Sequence, residues 1–193
     1  MGINRVLGAV AVALCGVLTA GVAVAGPAVG GTRTAAAAPY CGLTWGSAEK
    51  AVDAFGSGPL IATRTGQHAC FDRVVFEFDG PATGYRVFYG EVYTGGEGMA
   101  MSPYTAGGAL LHVELLNPAY AESGATYPHR LGDHVANVVR YQTLRDVVYA
   151  GSYEGYSTFA VGVRARLPFQ VSVLAGPGTH SRIVVDVAHA WQA

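Results

Sequence analysis

Residues 71–79 read Phe71-Asp72-Arg73-Val74-Val75-Phe76-Glu77-Phe78-Asp79. Val74, Phe76 and Phe78 alternate with Val75, Glu77 and Asp79, the two-residue period of a strand that lays one face on a core. Gly80-Pro81 ends the run, because proline brings no amide to a ladder. The same grammar recurs on both sides. Residues 60–64, 85–93 (with Gly90 a bulge), 109–116, 138–144, 147–153, 157–166, 169–174 and 181–188 are short apolar or alternating runs between Gly, Pro, Asn and Asp breaks. Helical spacing is weak everywhere past residue 25; residues 44–50 read as a turn or one short helix, with Ser47 in a capping position. Eight to ten short strands with turns between them imply an all-β fold, a β-sandwich or an open barrel.

Composition agrees. The 193 residues include 27 glycines and 9 prolines, a turn-rich usage, and 11 tyrosines and 7 phenylalanines, which suit half-buried pleated surfaces. The net charge is −1 with no basic stripe, so nucleic acid is not expected as a partner.

The N-terminus reads as an export signal. Arg5 precedes an uncharged run from Val6 to Ala25 that ends in the small-x-small site Ala23-Val24-Ala25. Residues 1–25 are therefore expected to be a cleaved signal peptide, an uncleaved anchor being the alternative. No membrane span is expected after cleavage. Leu14 before Cys15 is not the small residue that a lipoprotein site needs. Residues 26–39, rich in Gly, Ala and Thr, read as a flexible linker or mature tail, and residues 40–193 as the folded domain. Two cysteines remain after cleavage, Cys41 and Cys70. In an oxidising compartment they are expected to pair, two buried thiols being the bland alternative.

One internal echo stands out: Arg73-Val74-Val75-Phe76-Glu77-Phe78 resembles Arg182-Ile183-Val184-Val185-Asp186-Val187. In each, an arginine and an acid four residues apart share a strand face. Arg73 and Arg182 are thus candidates to grip ligand carboxylates, or else structural partners of Asp72, Glu77 or Asp186. Tyr104, Tyr120 and Tyr127 lie in Gly/Pro-rich segments, where a ring can stack on a sugar or simply anchor a loop. The polar stretch 119–133 is an extended surface loop or a functional one.

The motifs Cys41-Gly42-Leu43-Thr44-Trp45-Gly46-Ser47, Cys70-Phe71-Asp72-Arg73-Val74-Val75-Phe76, Gly84-Tyr85-Arg86-Val87, Tyr149-Ala150-Gly151-Ser152-Tyr153-Glu154-Gly155 and Ile183-Val184-Val185-Asp186-Val187-Ala188-His189, in this order, resemble the AMIN-like domain family. The resemblance covers residues 41–191. It implies an exported protein of high-GC Gram-positive bacteria, a β-sandwich of the AMIN type, and a cell-envelope role. AMIN domains are non-catalytic and place envelope enzymes by binding peptidoglycan. A wall polymer or an envelope protein is thus the expected partner, and a protein-binding adaptor or inhibitor is the alternative function.

No catalytic motif is expected to act. HExxH and G-x-S-x-G are missing from the sequence. His129 and His134 flank Asp133, but at no standard metal-ligand spacing. His112 reads as a satisfied sheet histidine, and Glu77, Asp79, Glu91, Glu114 and Asp186 as carboxylates of solvated strand faces. The expectation is a non-enzyme without cofactor or metal.

Overall fold

The computed structural model describes residues 38–191. The expected leader, residues 1–25, and residues 26–37 of the expected tail lie outside the described residues. The rest is all-β, with eleven strands in antiparallel sheets, slightly more than the eight to ten expected: β1 (Lys50–Val52), β2 (Leu60–Gln67), β3 (Phe71–Phe78), β4 (Tyr85–Tyr89), β5 (Ala109–Leu115), β6 (Tyr120–Ala121), β7 (Gly124–Ala125), β8 (Leu144–Tyr153), β9 (Tyr156–Val163), β10 (Phe169–Ala175) and β11 (Ser181–Ala188). A five-stranded sheet runs β1-β4-β5-β9-β8 and a four-stranded sheet runs β10-β11-β3-β2; β6 and β7 form a small hairpin.

The alternation of β3 decides which face goes inside. Val74, Phe76 and Phe78 are fully buried and join Leu60, Ile183, Val185, Phe169, Leu111, Val113, Leu115, Leu144, Phe159 and Val161 in one core between the sheets. Phe76 and Phe159 meet across it at 4.7 Å between ring centroids. The last strand-run of the sequence, β11, lies inside its sheet between β10 and β3. At one end Asp72, fully buried, accepts hydrogen bonds from the amides of Thr143 (2.6 Å) and Leu144 (3.1 Å) and lies 3.1 Å from Nε2 of His189. Beside this end Cys41 and Cys70 are joined in a disulfide. It closes a loop of 29 residues and contributes about 3.5 kcal/mol in the chain-entropy picture.

Three local expectations change. Residues 138–143 are not a strand. Their backbone groups are taken elsewhere: Asp72 accepts the Thr143 amide, and Arg145 donates to the carbonyls of Tyr141 and Gln142. Residues 43–49 form no helix; Ser47 instead accepts Arg166 through its hydroxyl and its carbonyl, both at 3.1 Å. Gly90 is where the β4 ladder ends, not a bulge within it.

From Gly90 the chain leaves the five-stranded sheet and folds over its outer face. The overlying segment carries its own small core, in which Val92 and Met101 pack on Val148, Ala150 and Ala160. Glu91 staples it, accepting the amides of Val92 (3.1 Å) and Ser102 (3.0 Å). Gly162 makes the close approach possible: a Cβ there would lie 1.8 Å from the Ala106 carbonyl oxygen.

Candidate binding trough

The overlying segment covers only half of that outer face. The other half stays open, floored by Arg86 of β4, His112 and Glu114 of β5, and Tyr156 and Thr158 of β9. Two hollows meet there. One, of about 270 Å³, lies among Tyr93, Thr94, Gly95, His112, Tyr153 and Thr158. A smaller one lies among Ala51, Val52, Asp53, Tyr85, Arg86 and Leu116. Glu114 and Tyr156 line both, so the two form one trough.

Its rings are set by local chemistry. β8 and β9 are joined by Glu154-Gly155, with φ of 48° and 87°. A two-residue turn with both φ values positive matches the twist of the strands it joins, and glycine takes the second place without strain. The turn sets Tyr153 directly opposite Tyr156. Phe55 packs edge-on against Tyr156 at 5.1 Å, and the hydroxyl of Tyr120 accepts the Gly155 amide at 3.0 Å. Phe55, Tyr93 and Tyr153 nevertheless remain 61%, 53% and 51% exposed.

The polar groups of the floor are under-used. Arg86 sits opposite Glu114 in the β4–β5 register but makes its ion pair with Glu49, at 3.2 Å. Glu114 makes no ion pair or hydrogen bond among the described residues. His112 stacks on Phe88 at 4.6 Å; its Nδ1 lies 3.3 Å from the Glu91 carbonyl, and its buried Nε2 has no protein partner. Burial holds this imidazole below the ordinary histidine range and so favours the neutral ring.

The residues singled out from sequence are dispersed. Tyr120 stands beside the trough. Tyr104 is exposed on the short turn Ser102–Tyr104, away from it. Tyr127 is a core residue, not a surface ring: it is 4% exposed, packs edge-on against Tyr149 at 4.9 Å and donates its hydroxyl to Thr63. Burial pushes its pKa up to about 12. Arg73 is engaged by Asp186 on two bonds, 2.6 and 2.8 Å, and the hydrogen bond to that carboxylate raises its pKa. Arg182 lies opposite Glu77, but Glu77 is taken by Arg64 and by His180, whose Nδ1 lies 3.1 Å away. The echo of the two strands thus marks neighbours whose arginines and acids face each other crosswise. His129 and His134 turn to different carboxylates, Asp133 and Asp146. Phe55, Tyr93, Tyr153, Tyr156 and Arg86 were not singled out. The signal for two of them was present, since a pair of tyrosines flanking Glu154-Gly155 is a cross-strand pair once the turn is read.

The family model of the AMIN-like domain matches residues 58–189, from just before β2 to just past β11. The chain belongs to the AMIN-like family. No curated protein matches its sequence. The match takes in the trough residues Tyr93, His112, Glu114, Tyr153 and Tyr156 of this AMIN-like domain and leaves out Phe55 and Cys41. The family is associated with the cell envelope, and the disulfide agrees with a place outside the reducing cytoplasm. No helix among the described residues is long and apolar enough to cross a membrane.

Proposed function

We propose that this AMIN-like domain is an exported, non-catalytic module that holds a cell-wall polymer, peptidoglycan or another glycan, in the trough of its five-stranded sheet. The observation that supports the reading most is a pair of rings, Tyr93 and Tyr153, each more than half exposed in a trough that also holds Glu114 and Arg86, with a third exposed ring, Phe55, packed on the trough residue Tyr156. Apolar surface gathered in one place gains by being covered. A sugar ring offers a C–H face to stack on such rings. Its hydroxyls suit Glu114 and Thr158, and the carboxylates of a stem peptide suit the fork of Arg86.

The test is sedimentation with purified cell wall. The chain is expected in the pellet at low salt, and the double variant Phe55→Ala, Tyr153→Ala is expected to be retained roughly tenfold less well, two stacking contacts being lost. No pelleting at low salt sinks the reading. Turnover of wall fragments overturns its non-catalytic part, and a co-purifying protein that survives wall digestion favours an adaptor instead.

A further inference from the structure

The two main sheets of the described domain have four lateral edges, and three are blunted. Along β2, the Leu60 amide donates to Pro118, Thr126 donates to the Leu60 carbonyl, and the hydroxyls of Tyr127 and Tyr141 reach Thr63 and Thr65. Along β8, the amides of Gly132 and Val135 donate to the carbonyls of Tyr149 and Val147. β4 is flanked by β1, a three-residue strand bordered by Glu49 and Asp53. Short, charged or covered edges are how sheet proteins avoid unwanted pairing. β10 has none of these protections beyond its first residue.

Hydrogen-bond parity says which groups β10 leaves free. At its two ends, the Ala188 amide donates to Pro168 and the Gly176 amide donates to His180, both at 2.8 Å. In an antiparallel ladder the bonded residues alternate, so Gln170, Ser172 and Leu174 face β11, while Val171, Val173 and Ala175 direct their amides and carbonyls outward. The Phe169 amide confirms the parity by donating outward, to Gly46 at 3.1 Å. Of the outward groups on Val171, Val173 and Ala175, only the Ala175 carbonyl has a partner among the described residues, Arg182 at 3.3 Å. The stretch Gln170-Val171-Ser172-Val173-Leu174-Ala175 carries no charge and no proline. Val173 and Leu174, on opposite faces of the strand, are each 39% exposed.

We infer that β10 is the edge through which a second copy of this chain docks, strand on strand and antiparallel, joining two four-stranded sheets into one. The edge is complementary to itself. With a two-fold axis at Val173, that residue faces its own copy and Val171 faces Ala175 of the partner subunit, so each outward residue exchanges both of its hydrogen bonds. No like charges meet in this register, and the side chains of both faces gain cover.

Sedimentation of the full chain, expressed from Met1 and purified in the form its host exports, tests this. Monomer should give way to dimer between low-micromolar and near-millimolar concentration. Val173→Pro removes an outward amide without touching the ladder to β11 and should stay monomeric throughout. Ser172→Lys puts a gatekeeping charge on the solvent face and should weaken the dimer ~10-fold or more; it decides alone if the proline variant does not fold. The amides of Val171, Val173 and Ala175 should be protected from hydrogen exchange at high concentration and exposed on dilution. A chain monomeric at every concentration, a dimer indifferent to both substitutions, or amides protected even at high dilution (the mark of a segment of the same chain lying on β10) would each overturn the inference.

Discussion

The two outer faces of this sandwich handle charge in opposite ways. On the four-stranded sheet the acids are answered, Asp186 by Arg73 and Glu77 by Arg64 and His180, while Arg182 makes no ion pair among the described residues and donates to the Ala175 carbonyl. On the five-stranded sheet, Glu114 has no protein partner among the described residues, Nε2 of His112 is buried without one, and three large rings stand in water. A face whose carboxylates are all answered has little acidic character left to offer a ligand. A face with an idle carboxylate and uncovered aromatics is what the proposed binding role requires, at some cost in stability. Arg73, legible in the sequence, therefore marks architecture, while Glu114, read there as a carboxylate of a solvated strand face, lies in the proposed site.

Substitutions separate the two faces, and the largest effect belongs to the structural one. Arg73→Ala strands the buried Asp186 carboxylate, whose side chain is 2% exposed, and is expected to cost about 3 kcal/mol in urea denaturation while wall retention of the folded fraction is unchanged. Loss of retention at full occupancy of the fold would break the contrast. Glu114→Gln should do the reverse, cutting retention roughly tenfold with a melting temperature unchanged or slightly raised, because a half-buried charge without a partner is removed. A drop in melting temperature would show that Glu114 belongs to the fold after all.

A pH series sharpens the comparison further. His112 has its pKa depressed by burial, and Glu91 has its own depressed, chiefly by the hydrogen bond with the Ser102 side chain. Both contribute stability that is present above the ordinary value of the group and lost as pH falls through the depressed one. Acid should loosen the overlying segment in two stages, the first below the ordinary histidine value of 6.5 and the second below the ordinary glutamate value of 4.5. Tryptophan-independent probes such as amide exchange of Val92 and Met101 would register it; His112→Gln should erase the first stage. The smallest effect is spectroscopic. Tyr127 and Tyr149, both pushed up to about 12 by burial, should stay protonated well above the ordinary tyrosine value of 10, and a phenolate signal from either at that value would contradict the core drawn around them.

What could be read in the chain follows from the range of the physics involved. Alternation is local, so β3, β5, β10 and β11 are visible in stretches of seven or eight residues each. The pairing of β3 with β11 joins residues more than a hundred positions apart, and the Arg73–Asp186 contact was visible only as two similar strings. Residues 138–144 misled because an apolar pair, Val138-Val139, looks like a strand start; the buried carboxylate of Asp72 and the guanidinium of Arg145 claim the backbone there instead. Tyr127 misled in the other direction: its neighbours are polar, but the segment carrying it runs along β2 and turns that one ring inward. Phe55 sits in a stretch without any period, and Tyr93 at the end of the run 85–93, beyond the point where β4 stops at Tyr89, so only the fold says which way either side chain points.

The segment that crosses the five-stranded sheet rests on a seam of its own, and this has a practical corollary. Residues 105–107 must keep their contact with Gly162, whose missing side chain is the latch. Tyr93, Thr94 and Gly95, by contrast, contribute to the trough wall without entering the main core. Protein engineers testing the proposed trough have at exposed Tyr93 a position to rewrite, whereas Thr94 is buried and a Cβ at Gly95 would lie 2.5 Å from that of Tyr153, so those two must stay with the latch.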